Sequence, residues 1–192
     1  MRIAIDVDST LHHYWDVLSD TARRRFGVDL PYEEQLTWGV TRLKPEQLKV
    51  CIDETHSEKV ILAGRPYEGA VETINRWHAA GHFIHITSHR AAEAHDHTAR
   101  WLDRIGLPYD ELYCSYDKIA RCVEIGADLL IDDAPDNLRR AVERGITAAT
   151  ISHPWNEDVV EEEGLIAAPD WPSLAARLEA SLEPLRRRGA AA

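Results

Sequence analysis

Five apolar runs, near residues 2–7, 82–87, 111–114, 128–132 and 146–151, alternate along the chain with stretches whose apolar residues fall at helical spacing. Parallel strands need a crossover to reach their neighbours, so this alternation predicts a parallel sheet wrapped by helices. The runs are nearly continuous, as expected of strands buried on both faces. Between them, Ala70, Val71, Ile74 and Trp77 share one helical face. So do Ala94, Thr98, Trp101, Leu102 and Ile105, and later Leu138, Ala141 and Val142. Gly81, Gly106, Gly126 and Gly145 each stand where a helix would end.

The rhythm breaks once. Thr10 and Thr87 are separated by 77 positions, far more than one crossover needs. Section 12–66 offers no buried strand but holds helical patterns such as Tyr14, Val17, Leu18, Thr21 and Ala22, punctuated by Leu30-Pro31, Gly39 and Lys44-Pro45. It is expected to form a small helical cap inserted after the first strand. Residues 1–11 and 67–185 would then make the α/β core, and 186–192 a frayed, disordered tail. Thr87 to Lys118 spans only 31 positions, which leaves no room for a second insertion.

Chemistry-bearing residues collect at the ends of the runs. Asp6-Val7-Asp8-Ser9-Thr10 leaves the first, Thr87-Ser88 the second, and Asp132-Asp133 the fourth, while Lys118 opens the helix after the third. Phosphoester hydrolysis needs an in-line nucleophile, a proton donor for the leaving oxygen and positive charge around the phosphoryl oxygens. Asp6 is the candidate nucleophile and Asp8 the proton donor, which would then deprotonate the attacking water. Thr87 and Ser88 could bind a phosphoryl oxygen or cap the next helix, and Lys118 could stabilise charge. Two adjacent acids closing a buried strand repel each other unless a cation compensates, and oxygen-only ligands suit Mg²⁺. Which of Asp132 and Asp133 would touch the metal stays open at this stage.

Those four pieces, in that order from residue 6 to residue 133, resemble the four motifs of the haloacid dehalogenase superfamily of aspartate-nucleophile phosphohydrolases. The resemblance implies a Rossmann-like three-layer parallel-sheet core, with a cap of the first type between motifs I and II. It also implies Mg²⁺ held by Asp6, the backbone carbonyl of Asp8, and Asp132 or Asp133. The segments Ile86-Thr87-Ser88, Ser115-Tyr116-Asp117-Lys118, Ala127 to Asp133, Pro66 to Ala70 and Pro154-Trp155-Asn156 are similar to the 5′(3′)-deoxyribonucleotidase family within it. That likeness implies a nucleoside monophosphate as substrate, with its base stacked on aromatics of the cap. Tyr14, Trp15 and Trp38 lie in the right part of the chain, although any of them would equally suit packing inside the cap. His89-Arg90 replaces the proline and apolar residue of the characterised animal enzymes, so Arg90 could contact a second anionic group on another metabolite, or simply lie on the surface.

Other classes are weakened by composition. A net charge of −11 argues against a nucleic-acid polymer as partner. No apolar stretch reaches transmembrane length. Three cysteines without CxxC spacing, and a first strand starting at the N-terminus with no room for a signal peptide, predict a cytoplasmic protein. The expectation is an Mg²⁺-dependent phosphomonoesterase, with a 5′-nucleotidase as the leading reading. A phosphatase for another small phosphorylated metabolite and a non-catalytic phospholigand-binding protein are the alternatives. Asp8 speaks against a dehalogenase, because the superfamily's dehalogenases lack a carboxylate there. Oligomeric state has no signal in the sequence.

Overall fold

The structure is a computed structural model that describes residues 1–115 and 117–189. The family-like segment 115–118 therefore includes one residue, Tyr116, outside the described residues, as are residues 190–192 of the expected tail. Six parallel strands form one sheet: β1 (Arg2–Asp6), β2 (Phe83–Ser88), β3 (Glu111–Cys114), β4 (Leu129–Ile131), β5 (Thr147–Ile151) and β6 (Leu165–Ala168). Their spatial order is β3-β2-β1-β4-β5-β6. Between β1 and β4 the chain order reverses, and in such sheets the crevice beyond the strand ends at that switch is where ligands bind.

Successive residues of a strand point to opposite faces. Ile3 and Ile5 of β1, with Leu129 and Ile131 of β4, belong to one buried cluster, whereas Ala4 and Leu130 belong to another on the opposite face. Each face is covered by helices. The first cluster is closed by α4 (Ala70–Ala79), α5 (His95–Ile105) and α8 (Trp171–Gly189), the second by α6 (Lys118–Glu124) and α7 (Pro135–Glu143). The parallel sheet wrapped by helices that the run-and-helix alternation predicts is the architecture observed.

The long interval after β1 carries α1 (Tyr14–Phe26), α2 (Pro45–Thr55) and α3 (Glu58–Leu62). Trp15, Leu18 and Ala22 of α1 pack with Leu30, Leu43 and Cys51 into a third cluster, which also takes in Trp155 from the turn after β5. Ile61 of α3 instead joins the first cluster.

Two elements differ from the sequence reading. The sheet does not end at β5: β6 adds an edge strand, and α8 packs against it. The run Leu165-Ile166-Ala167-Ala168 is short, half alanine and preceded by Glu161, Glu162, Glu163 and Gly164, so it carries little strand signal. The helix α8 then continues to Gly189, so residues 186–189 of the expected tail are helical.

Candidate active site

Beyond β1 the chain turns back at once. The carbonyl of Val7 accepts from the amides of Leu11 and His12, each at 2.8 Å, and this loop brings Asp6 and Asp8 to one place. Ser9 sits in the left-handed region at φ 63°, the single non-glycine residue there among those described, a strain of about 1 kcal/mol or more that its surroundings must hold. His153 donates from Nε2 to the Ser9 carbonyl at 2.8 Å and accepts at Nδ1 from the Tyr32 hydroxyl at 2.7 Å. The Trp171 indole donates to the next carbonyl, Thr10, at 2.8 Å.

Lys118 opens α6, whose N-cap Asp117 accepts from the Ala120 amide at 3.2 Å. That geometry aims the lysine back over the strand ends. Its Nζ donates to Asp6 at 2.5 Å and to Asp132 at 2.9 Å, and the side chain is buried. Burial alone would lower its pKa, but Asp132 and Asp6 raise it above the ordinary lysine value. Asp6, Asp132 and Asp133 offer carboxylate oxygens that all lie within 4.8 Å of one another. Burial pushes Asp6 up to about 7, opposed by Lys118 and assisted by repulsion from Asp132 and Asp8. Asp133 is pushed well above the carboxylate range by burial, then by Asp6 and Asp132. One ammonium for three buried carboxylates is a donor set short of positive charge, which is what a hard divalent cation supplies.

The two adjacent acids are not equivalent. Asp132 takes the Ala134 amide at 2.9 Å and Asn137 at 3.2 Å on Oδ1, and Lys118 and Asn137 on Oδ2. Asp133 takes the Trp155 indole on Oδ2 at 3.0 Å. Protein donors therefore engage both oxygens of Asp132, whereas Asp133 lines the cavity.

Thr87 is the register partner of Asp6 across β1 and β2. Its hydroxyl is buried with no hydrogen-bond partner among the described residues. Ser88 instead uses its hydroxyl locally, accepting from the Arg90 amide at 3.2 Å.

Asp8 and Arg90 form a bidentate pair, Nε to Oδ2 at 2.9 Å and Nη2 to Oδ1 at 2.6 Å. Burial would raise the Asp8 pKa, but the Arg90 guanidinium outweighs it and holds the carboxyl well below its ordinary value. The expectation for Arg90 is thereby corrected. It is neither on the surface nor among the residues lining the cavity; it is 1% exposed and turned toward Asp8.

A cavity of about 630 Å³ opens over Asp6, Asp8, Lys118 and Asp133. Its upper wall comes from the interval after β1 and includes Tyr14, Trp15 and Trp38. Trp38 is 53% exposed, whereas Trp15 is buried, donating to the Leu30 carbonyl, and the Tyr14 hydroxyl lies 3.0 Å from Thr55 Oγ1. His89 and His97 also line it, as does His56. Sequence reasoning passed over His153, Asn137 and Trp171, whose roles arise only from contacts across distant elements.

A model of the family described as "5' nucleotidase, deoxy (Pyrimidine), cytosolic type C protein" matches residues 1–172. The chain is similar to a protein of Chlorobaculum tepidum called "Putative 5'(3')-deoxyribonucleotidase", with 24% identity over 172 residues, covering 83% of this chain and 82% of that one. Among solved structures it resembles a conserved haloacid dehalogenase-like protein of unknown function from Agrobacterium tumefaciens, at TM-score 0.68 and 14% identity, covering 95% of this chain and 99% of that one. It also resembles a HAD family hydrolase from Deinococcus radiodurans with bound phosphate and sodium, at TM-score 0.65 and 16% identity, covering 94% of each chain. At such identities these structures establish the fold alone. No helix among the described residues is long and apolar enough to cross a membrane.

Proposed function

Because the chain belongs to this cytosolic type C 5′-nucleotidase family of phosphatases with the haloacid dehalogenase fold, we propose that it hydrolyses nucleoside monophosphates through a phospho-aspartate on Asp6, with Mg²⁺ as cofactor. The observation that carries the reading is the buried Asp6–Lys118–Asp132 chain beneath an apolar-walled cavity.

An oxygen of Asp6 attacks phosphorus and the bond to the leaving oxygen breaks; Asp8, which Arg90 keeps ionised in the free protein, first takes the proton of the bound monoester monoanion and then gives it to that oxygen. Water then attacks the phosphorus, Asp8 takes a proton from it, and inorganic phosphate leaves Asp6. Lys118 and the unpaired Thr87 hydroxyl face the phosphoryl oxygens, while Ser88 braces the turn that carries Arg90. Of the three clustered carboxylates, Asp6 and Asp133 would hold Mg²⁺ together with the backbone carbonyl of Asp8, while Asp132 orients Lys118. When bound, the cation would neutralise charge on the transferring phosphoryl group.

Residues 12–66 serve as a cap over the α/β core, and Trp38, the exposed aromatic of the cavity wall, takes the base. Tyr14 and Trp15 shape that wall from within the packed helices. A cytoplasmic setting agrees with Cys51, Cys114 and Cys122 all being free thiols.

The deciding experiment is phosphate release from a panel of nucleoside 5′- and 3′-monophosphates and sugar phosphates, with Mg²⁺ or with EDTA. Metal-dependent release favouring nucleotides is expected. Release confined to another ester would discard the nucleotide substrate and keep the chemistry. Undiminished release from Asp6→Asn would sink the covalent route.

A further inference from the structure

Arg90 shares the neighbourhood of the reaction without facing the cavity. Its guanidinium meets four partner atoms: both oxygens of Asp8, Thr98 Oγ1 at 3.0 Å and His12 Nδ1 at 3.2 Å. Thr98 is itself anchored, donating to the Ala94 carbonyl at 2.7 Å, and the Arg90 amide is tied to Ser88. His12 Nδ1 lies 3.2 Å from Asp8 Oδ1, with its ring against the edge of Trp101. A Cβ at Gly64 would collide with that ring, so the glycine lets His12 sit where it does. The result is a continuous buried brace from α5 to the Asp8 carboxylate, which lies 19% exposed on the cavity wall.

A planar guanidinium engaging both oxygens fixes a carboxylate in position and in rotation, which an ammonium cannot do. We propose that Arg90 is a positioning residue that sets the orientation of Asp8 toward the leaving oxygen, and so decides how well the enzyme cleaves unactivated alkyl esters. This rests on the reading of Asp8 as the group that protonates the leaving oxygen. An alkoxide needs that proton, whereas 4-nitrophenolate leaves as a stable anion. Misplacing Asp8 therefore penalises the first ester far more than the second.

The test is single-turnover release of the alcohol from a nucleoside 5′-monophosphate and from 4-nitrophenyl phosphate, which isolates attack by Asp6 from later hydrolysis. It compares Arg90→Lys, Arg90→Ala, Asp8→Asn and the Asp8→Asn/Arg90→Ala double variant, each with Mg²⁺. Both Arg90 variants are expected to lose at least about tenfold more rate on the nucleotide than on the aryl ester. In the Asp8→Asn background, removing Arg90 should add less than about threefold on either ester. A merely structural Arg90 would lower both esters alike, or add its full loss to that of Asp8→Asn; either result overturns the proposal, as does a faster nucleotide rate in Arg90→Ala. Where Arg90→Ala fails to fold, Arg90→Lys decides, because it keeps the buried charge and lacks the fork. Asp8→Asn losing equally on both esters would instead overturn the acid role of Asp8 itself.

Discussion

The Lys118 ammonium stands 2.5 Å from Asp6 and bridges it to Asp132 at 2.9 Å, so two buried carboxylates share one cation. Breaking a buried pair on one side leaves charge without compensation, at a cost of about 3–5 kcal/mol. Lys118→Met should therefore lose stability by about that amount in EDTA, and phosphate release should fall at least about a hundredfold. Chemical denaturation with and without Mg²⁺ checks this: the loss should narrow when the divalent cation is present, and an unchanged gap would argue against a cation at the three aspartates.

Thr87→Val separates function from stability. The hydroxyl is buried with no partner among the described residues, so its removal deletes an unsatisfied group while keeping the shape. Melting temperature should stay level or rise. Inhibition by inorganic phosphate should weaken about tenfold or more, the worth of one hydrogen bond to a charged oxygen. Loss of stability without loss of phosphate affinity would assign Thr87 to the fold alone.

Trp38→Ala tests the upper wall. At 53% exposure the side chain contributes little to folding, and stability should shift by less than about 0.5 kcal/mol. Loss of an aromatic face should raise KM for nucleotides about five- to tenfold, with smaller effect on phosphate esters lacking a ring. Equal KM changes across both groups would remove Trp38 from base recognition.

His153 gives the protein a pH dependence of known sign. Burial lowers it from 6.5 to about 4, the Ser9 carbonyl pulling the other way. Between those values the unfolded chain binds a proton that the folded chain does not, so stability is full above about pH 6.5 and drains away toward pH 4. Wild type and His153→Phe should therefore differ by about 2 kcal/mol less at pH 5 than at pH 7 in urea unfolding. A gap independent of pH would mean that His153 is not held neutral.

Much of this was legible in the residues themselves. Continuous apolar runs ending in Asp6, Thr87 and Asp132-Asp133 announce buried parallel strands with acids at their carboxyl ends, because burial on both faces leaves no polar alternation. β6 was not legible, since two alanines and two larger apolar residues behind three glutamates carry hardly any hydrophobic signal of their own; packing against α8 supplies what the strand lacks.

By itself, the sequence determined local matters: the five apolar runs that became β1 to β5, the helices between them, and which strand ends carry acids, hydroxyls and a lysine. Only the tertiary structure decided pairing. Asp8 and Arg90 are 82 positions apart, and Ser9 and His153 are 144 apart. Nothing in local periodicity encodes such a contact. The same is true of the division between Asp132, whose oxygens are both spent on protein donors, and its neighbour Asp133. Residue type sets what a side chain can do; the low-dielectric interior, where every charge must find its partner, settles which one it does.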